Sequence, residues 1–194
     1  MKLETKRLIL RTPKMSDWKD ILEGIGDIDV SRNLSNVPHP YKKKDAIWWL
    51  NKQKKDWSKR NPTSREFVIV LKSENKVIGA SGFCRIDKFT GTATSGSWIA
   101  KKYWRKGYIT EAKLALNDFA FNKLNLQRLE SEAFLENAAS NGMSKFFGYK
   151  FEGTKRRAHR SKATKKWHDN NIYGLLKEEW KIHRKKLINK LKEY

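Results

Sequence analysis

Lys102-Tyr103-Trp104-Arg105-Lys106-Gly107-Tyr108-Ile109-Thr110-Glu111-Ala112 reads as a basic turn that runs straight into a helix. A strand-like run from Thr94 to Ala100 leads into it, and Ile109, Ala112, Leu116 and Phe119 continue beyond it at helical spacing. Amides at such a helix start have no intrahelical partner and carry partial positive charge, so they suit a phosphate or pyrophosphate. Lys102, Arg105 and Lys106 reinforce that field. The alternative is a purely structural basic turn.

Upstream, Leu8 and Leu10 alternate within Thr5 to Arg11 as a first strand. Pro13 ends it, Ser16 is placed to cap a helix through about Glu23, and Gly24-Ile25-Gly26 is placed to stop that helix. Asp27 to Tyr41, with Pro38 and Pro40, reads as a loop, and Asp45 as the cap of a second helix whose Ala46, Trp49, Leu50 and Trp57 share a face. Arg65 to Lys72 and Lys76 to Asp87 form a hairpin around Ser73-Glu74-Asn75. Downstream, Leu126 to Leu135 is a fifth strand, with Leu129, Ser131 and Ala133 on one side and Glu130 and Glu132 on the other. A short helix follows Asn137 and stops at Gly148, and strands near Tyr149 to Thr154 and Lys166 to Leu176 complete the sheet. Lys177 to Tyr194 reads as a basic amphipathic helix, with Trp180, Leu187 and Leu191 on one face and Lys181, Arg184, Lys185 and Lys192 around it. This order predicts an α/β chain with a mixed, mostly antiparallel sheet of about seven strands and helices on both faces.

A chain of 194 residues with eight Trp has enough apolar area for one core. No apolar run approaches the roughly 18 residues that span a bilayer, and Met1 leads into charged residues, so a cytoplasmic location is expected. The single Cys84, inside a strand-like apolar run, reads as core and excludes an intrachain disulfide. Lys and Arg number 43 against 21 Asp and Glu, a formal charge of +22. Such a field attracts nucleic acid, ribosomes or acidic substrates; a solvated surface in a cell of basic proteins accounts for it equally well.

The order of elements, the basic loop, Glu136-Asn137-Ala138-Ala139-Ser140-Asn141 and Phe147-Gly148-Tyr149-Lys150-Phe151-Glu152-Gly153 together resemble the GNAT superfamily of acetyl-CoA-dependent N-acetyltransferases. Leu3-Glu4-Thr5-Lys6-Arg7-Leu8-Ile9-Leu10-Arg11, Pro38-His39-Pro40-Tyr41, Tyr103-Trp104, Asp169 and Tyr173 are similar to its RimJ/RimL-type branch, whose namesakes acetylate N-terminal amines of ribosomal proteins. The resemblance implies a GNAT domain over residues 1–180, with 181–194 as a basic helical extension. It also implies a sheet splayed between the fourth and fifth strands.

For the site, the resemblance implies that amides of Trp98, Ile99 and Ala100 bind the pantetheine arm of acetyl-CoA. The loop of Lys102, Arg105, Lys106, Gly107, Tyr108, Ile109 and Thr110 would hold its pyrophosphate. The family's loop pattern is Gln or Arg, two residues, Gly, one residue, then Gly or Ala; Lys102 and Arg105 depart from it and Gly107 does not. Asn137 matches a position that contacts the cofactor arm, and a helix cap is its other reading. Ser140 matches a position that protonates the departing thiolate, against an ordinary first-turn serine. The carboxylate that often precedes the fourth-strand Gly is missing, because Thr94 and Ser95 stand before Gly96. Asp87, Glu130, Glu132 and His168 remain as candidate bases, and each also reads as a structural group; Glu111 reads as a partner of the helix dipole. The implied reaction is direct acetyl transfer to a primary amine, a peptide or protein α-amine first. A small amine such as a polyamine or aminoglycoside, and an RNA- or ribosome-binding module with degenerate chemistry, are the alternatives.

Overall fold

The computed structural model describes residues 1–192, with side chains through Asn189. Leu191 and Lys192 of the expected tail faces therefore have side chains outside the described residues, and Tyr194 lies outside them altogether. Among the described residues, no helix is long and apolar enough to cross a membrane.

The strands are β1 (Lys2–Glu4), β2 (Leu8–Arg11), β3 (Ser64–Leu71), β4 (Lys76–Asp87), β5 (Thr92–Ile99), β6 (Arg128–Phe134), β7 (Lys150–Arg160) and β8 (Trp167–Leu176). They form one sheet in the order β1-β2-β3-β4-β5-β6-β8-β7. Around it lie α1 (Trp18–Gly26), α2 (Ile28–Ser31), α3 (Lys43–Ser58), α4 (Tyr108–Asn122), α5 (Ala138–Phe146) and α6 (Lys177–Lys192). The eighth strand beyond the expected seven is β1, which pairs Lys2 with Arg11 and Glu4 with Ile9. Three residues are too few for alternation to announce a strand, so only the pairing defines it.

Local signals held in kind and moved in position. Asp17, not Ser16, organises the first helix start: its carboxylate accepts from the Lys14 amide at 2.7 Å and from both Arg11 Nη atoms at 2.8 Å. Gly24 does not end α1. It is buried inside the helix where α1 meets β5, and a Cβ there would lie 2.9 Å from the Trp98 ring. The expected loop after it contains α2, whose first turn is capped by Asp27 accepting from the Asp29 amide at 2.8 Å. Asp45 sits in the first turn of α3, and its carboxylate reaches back to the Lys42 amide at 2.8 Å. The strand expected to end near Thr154 runs on to Arg160, with register shifts after Phe151 and Lys155 and positive φ at Gly153 (144°) and Arg157 (47°).

Alternation divides the core. Leu8, Leu10, Phe67, Ile69 and Leu129 pack with Leu116 and Phe119 of α4 on one face, whereas Val68, Val70 and Val77 pack with Ile21 and Ile25 of α1 and Leu50 of α3 on the other. Trp180 of α6 is 1% exposed within the first cluster, stacked 6.4 Å from Phe121 and 6.1 Å from Phe147, and its Nε1 donates to Asp118 at 3.0 Å.

One junction positions everything that follows. Parallel pairing of β5 with β6 covers only Thr92–Ser95 against Arg128–Ser131. Beyond it β5 stays with β4 to Ile99, and β6 stays with β8 to Phe134. The two strands thus part at their C-terminal ends, where the basic loop leaves β5 and Asn137 follows β6. Trp180→Ala should cost about 3–5 kcal/mol, as for other fully buried large aromatics. Urea denaturation will measure it, and a loss under 1 kcal/mol would show that the core does not need α6.

Candidate active site

The basic loop is fixed by bonds to sequence-distant residues. Tyr103 is buried, and its hydroxyl donates to Glu74 in the β3–β4 hairpin at 2.5 Å; Trp104 Nε1 donates to the Ile99 carbonyl at 2.8 Å. Arg105 and Gly107 both adopt left-handed conformations, φ 59° and 74°. A side chain at the Arg105 position, where the resembled pattern has glycine, therefore does not reroute the backbone; arginine is held in a conformation that glycine adopts without strain. Gly107 caps α4 without a side chain, and the first amide to bond back is that of Glu111, to the Gly107 carbonyl at 3.0 Å. Among the described residues, the amides from Arg105 to Thr110 donate no hydrogen bond. That leaves an uncapped helix start whose donors face outward, a site suited to phosphate oxygens.

Glu111 does more than face the helix dipole. It accepts from Thr5 Oγ1 at 2.6 Å, from the Arg7 amide at 2.7 Å and from Arg7 Nε at 2.6 Å, while Arg7 Nη1 donates to the Lys106 carbonyl at 2.9 Å. Burial alone would push its pKa up, but these bonds outweigh burial and hold it below the usual carboxylate range. Of the loop cations, Lys102 sits 3.9 Å from Glu23, and Arg105 has no ion pair among the described residues.

Along β5, the Ala100 amide expected to bind the cofactor arm is already committed, donating to the Ile78 carbonyl at 2.8 Å. Alternation of an antiparallel pair turns the Trp98 amide toward β4 as well, so of the three named residues Ile99 presents its amide to the gap. Beneath the gap, Ser95 Oγ and Tyr149 Oη lie 3.4 Å apart, and Asn117 of α4 is 2% exposed with its Nδ2 unpartnered among the described residues.

Across the gap, both readings of Asn137 are compatible. Its Oδ1 accepts from the Ser140 amide at 3.1 Å, which leaves Nδ2 to donate elsewhere. Ser140 is partly exposed, and its hydroxyl has no partner among the described residues. Asn141, which the sequence reading left without a role, is the hub. Its Nδ2 donates to the carbonyls of Phe134 (2.9 Å) and Asn137 (2.8 Å), and its Oδ1 accepts from Asn171 Nδ2 (2.9 Å) and Tyr173 Oη (2.8 Å). It ties β6, α5 and β8 together behind Ser140.

The candidate bases are all engaged. Asp87 accepts from the Phe89 and Thr90 amides, which hold its pKa down. Glu130 bonds Arg128 Nε at 3.2 Å. Glu132 accepts from Arg85 at 2.5 Å and contacts His159 at 3.2 Å; burial pushes its pKa up, but those partners win and hold it low. His168 stacks on Phe134 at 4.2 Å, with Nδ1 on Glu136 and Nε2 3.3 Å from Thr164. One carboxylate that composition did not flag, Glu66 of β3, has no such partner. Its signal in the sequence was an acid directly before an apolar run, Phe67-Val68-Ile69-Val70-Leu71.

A family model described as an acetyltransferase (GNAT) domain matches residues 7–150. The uncharacterized N-acetyltransferase p20 of Bacillus licheniformis is 30% identical over 180 residues, covering 92% of this chain and 97% of that protein. Among solved structures, the ribosomal-protein-S5-alanine acetyltransferase of Vibrio fischeri superposes with a TM-score of 0.80 at 20% identity, covering 93% of this chain and 98% of its own. The microcin C7 self-immunity acetyltransferase MccE, solved with acetyl-CoA and AMP, superposes with a TM-score of 0.74 at 19% identity over 89% and 93% of the two chains. At those identities the two structures establish a shared fold.

Because glycine alone relieves a left-handed φ, Arg105→Gly should stabilise the protein by about 0.5–1 kcal/mol, and Arg105→Ala should not. Urea midpoints of the two variants test this; equal midpoints would show that the loop stores no strain at Arg105.

Proposed function

The chain belongs to the GNAT family of N-acetyltransferases, and on that premise we propose that it moves an acetyl group from acetyl-CoA to a peptide or protein N-terminal amine, as RimJ/RimL-type enzymes do. The observation that carries the cofactor is the run of unbonded amides from Arg105 to Thr110 at the mouth of the gap between β5 and β6. Those amides would hold the pyrophosphate, with Arg105 adding a charge-assisted bond to a phosphate oxygen. The Ile99 amide and Asn137 Nδ2 line the route of the pantetheine arm. Bound acetyl-CoA supplies an activated acetyl carbon and a thiolate leaving group.

The residues provide two services around that carbon. An amide on β5 can donate a hydrogen bond to the carbonyl oxygen and stabilise the negative charge that develops there, a contribution usually worth several kcal/mol. Ser140 offers its unpartnered hydroxyl to pass a proton to the departing sulfur, and the Asn141 hub fixes the helix start from which it projects. No nucleophile of the protein is required.

The acceptor is argued from charge. A field of +22 repels polyamines and aminoglycosides and favours an acceptor presented in an anionic setting, such as a ribosomal protein on its RNA. The β7–β8 hairpin adds Lys155, Arg156, Arg157, Lys165 and Lys166 to that field. An α-amine, with its ordinary pKa of about 7.7–8.0, is also easier to deprotonate than a lysine.

Ser140→Ala should lower turnover about 100-fold, with acetyl-CoA affinity within about twofold of wild type. A screen of peptides and small amines that follows free CoA, paired with calorimetry of acetyl-CoA binding, checks both halves. Unchanged turnover rejects the acid role, and preference for small cationic amines rejects the peptide acceptor.

A further inference from the structure

We infer that Glu66 is the carboxylate that takes a proton from the acceptor amine, an assignment that rests on the acetyl-transfer reading above. Glu66 on β3 stands opposite Gly82 of β4, and Gly82 stands opposite Gly96 of β5, the strand that borders the gap. The row from the carboxylate to that strand therefore carries no intervening side chain. A Cβ built on Gly96 would meet nothing within 4 Å, so the space above this row is open at β5. At Gly82 a Cβ would fall 2.2 Å from the Arg65 carbonyl oxygen, so β3 and β4 can approach this closely only with glycine there. Alternation puts Glu66 on the face of Val68 and Val70, which α1 and α3 cover and which Trp98 shares. With strands about 4.8 Å apart, the Glu66 backbone is about 10 Å from that of Gly96. A glutamate side chain and an incoming amine, or one bridging water, cover that span.

The surroundings single out Glu66 among the acids of this face. Its carboxylate accepts no hydrogen bond and makes no ion pair among the described residues. Lys52 of α3 bears on it, but Lys52 bonds Asp56 at 2.8 Å. Cys84 of β4 is the other titratable neighbour, with Arg85 and Glu132 beyond it, and those two are paired with each other at 2.5 Å. A half-buried carboxylate without partners costs stability, and burial pushes it up to about 7, only partly offset by Lys52. Structural acids in this protein, such as Asp17 and Glu111, are bonded several times over. The β5 position where a carboxylate was expected holds Thr94 instead, and its Oγ1 accepts from Arg85 Nε at 3.1 Å.

In the reaction the acceptor arrives as an ammonium and sheds two protons. The first goes to Glu66 and on to solvent, which frees the lone pair that forms the C–N bond to the acetyl carbon. The second leaves the nitrogen as the C–S bond breaks and ends on the sulfur by way of Ser140.

Glu66→Gln tests this in the full-length protein. Expected is a fall in kcat of about 100-fold at neutral pH with acetyl-CoA binding unchanged, and loss of the inflection near 7 from the kcat profile, where the wild type gains activity as the carboxylate ionises. In the ligand-free protein, difference infrared spectra should show a protonated-carboxyl band that titrates near 7 and is absent from Glu66→Gln. The folded-state pKa is raised, so ionisation destabilises the fold as pH rises toward 7, and the variant should melt no lower than wild type at pH about 8. An active wild type whose kcat and pH profile Glu66→Gln matches overturns this assignment alone. A wild type that releases no CoA with any amine overturns the acetyl-transfer reading and this inference with it.

Discussion

The site depends on one interruption, the end of β5–β6 pairing after Ser95 and Ser131. A sheet that stops pairing in its middle leaves backbone donors and acceptors that need partners. On the β5 side, β4 takes the Trp98 and Ala100 amides and Trp104 takes the Ile99 carbonyl, which leaves the Ile99 amide free to face the gap. On the β6 side, Asn141 absorbs the Phe134 carbonyl and binds β8 through Asn171 and Tyr173. Because β5 and β6 are parallel, their diverging ends lie at the same edge. The basic loop and the Asn137–Ser140 turn therefore flank a single opening.

The loop's shape rests on contacts far away in the chain. Glu111 gathers Thr5 and the Arg7 main chain and side chain, and Arg7 reaches on to the Lys106 carbonyl, so the turn between β1 and β2 braces the start of α4. Tyr103 does the same through Glu74. With bracing from two hairpin turns, the left-handed pair Arg105 and Gly107 can leave the following amides unbonded, as a turn suited to an anion requires.

Fold class, nearly every element and the GNAT resemblance were legible in the sequence because they are carried by short-range periodicity and by motifs that are contiguous in the chain. Errors fell where a signal depended on neighbours. Gly24 looked like a helix stop and is instead the contact that admits Trp98. Ser16 looked like a cap, but Asp17 has Arg11 to hold it in place. β1 is too short to show a period and exists through its pairing with β2.

Residue types and spacing determined, by themselves, that a basic turn follows a central strand and runs into a helix, and that Asn137 and Ser140 open a helix beyond its neighbour. Tertiary structure alone decided which of those groups are still free. Ala100 is spent on Ile78, Asp87, Glu130, Glu132 and His168 are spent on nearby partners, and the Glu66 carboxylate, marked in the sequence only by its place before an apolar run, is left without one among the described residues. The physical reason is that a polar group's availability is set by what it already bonds, and those bonds form only when the folded backbone brings the partners together, whether from the adjoining turn, as at Asp87, or from another strand, as at Glu132.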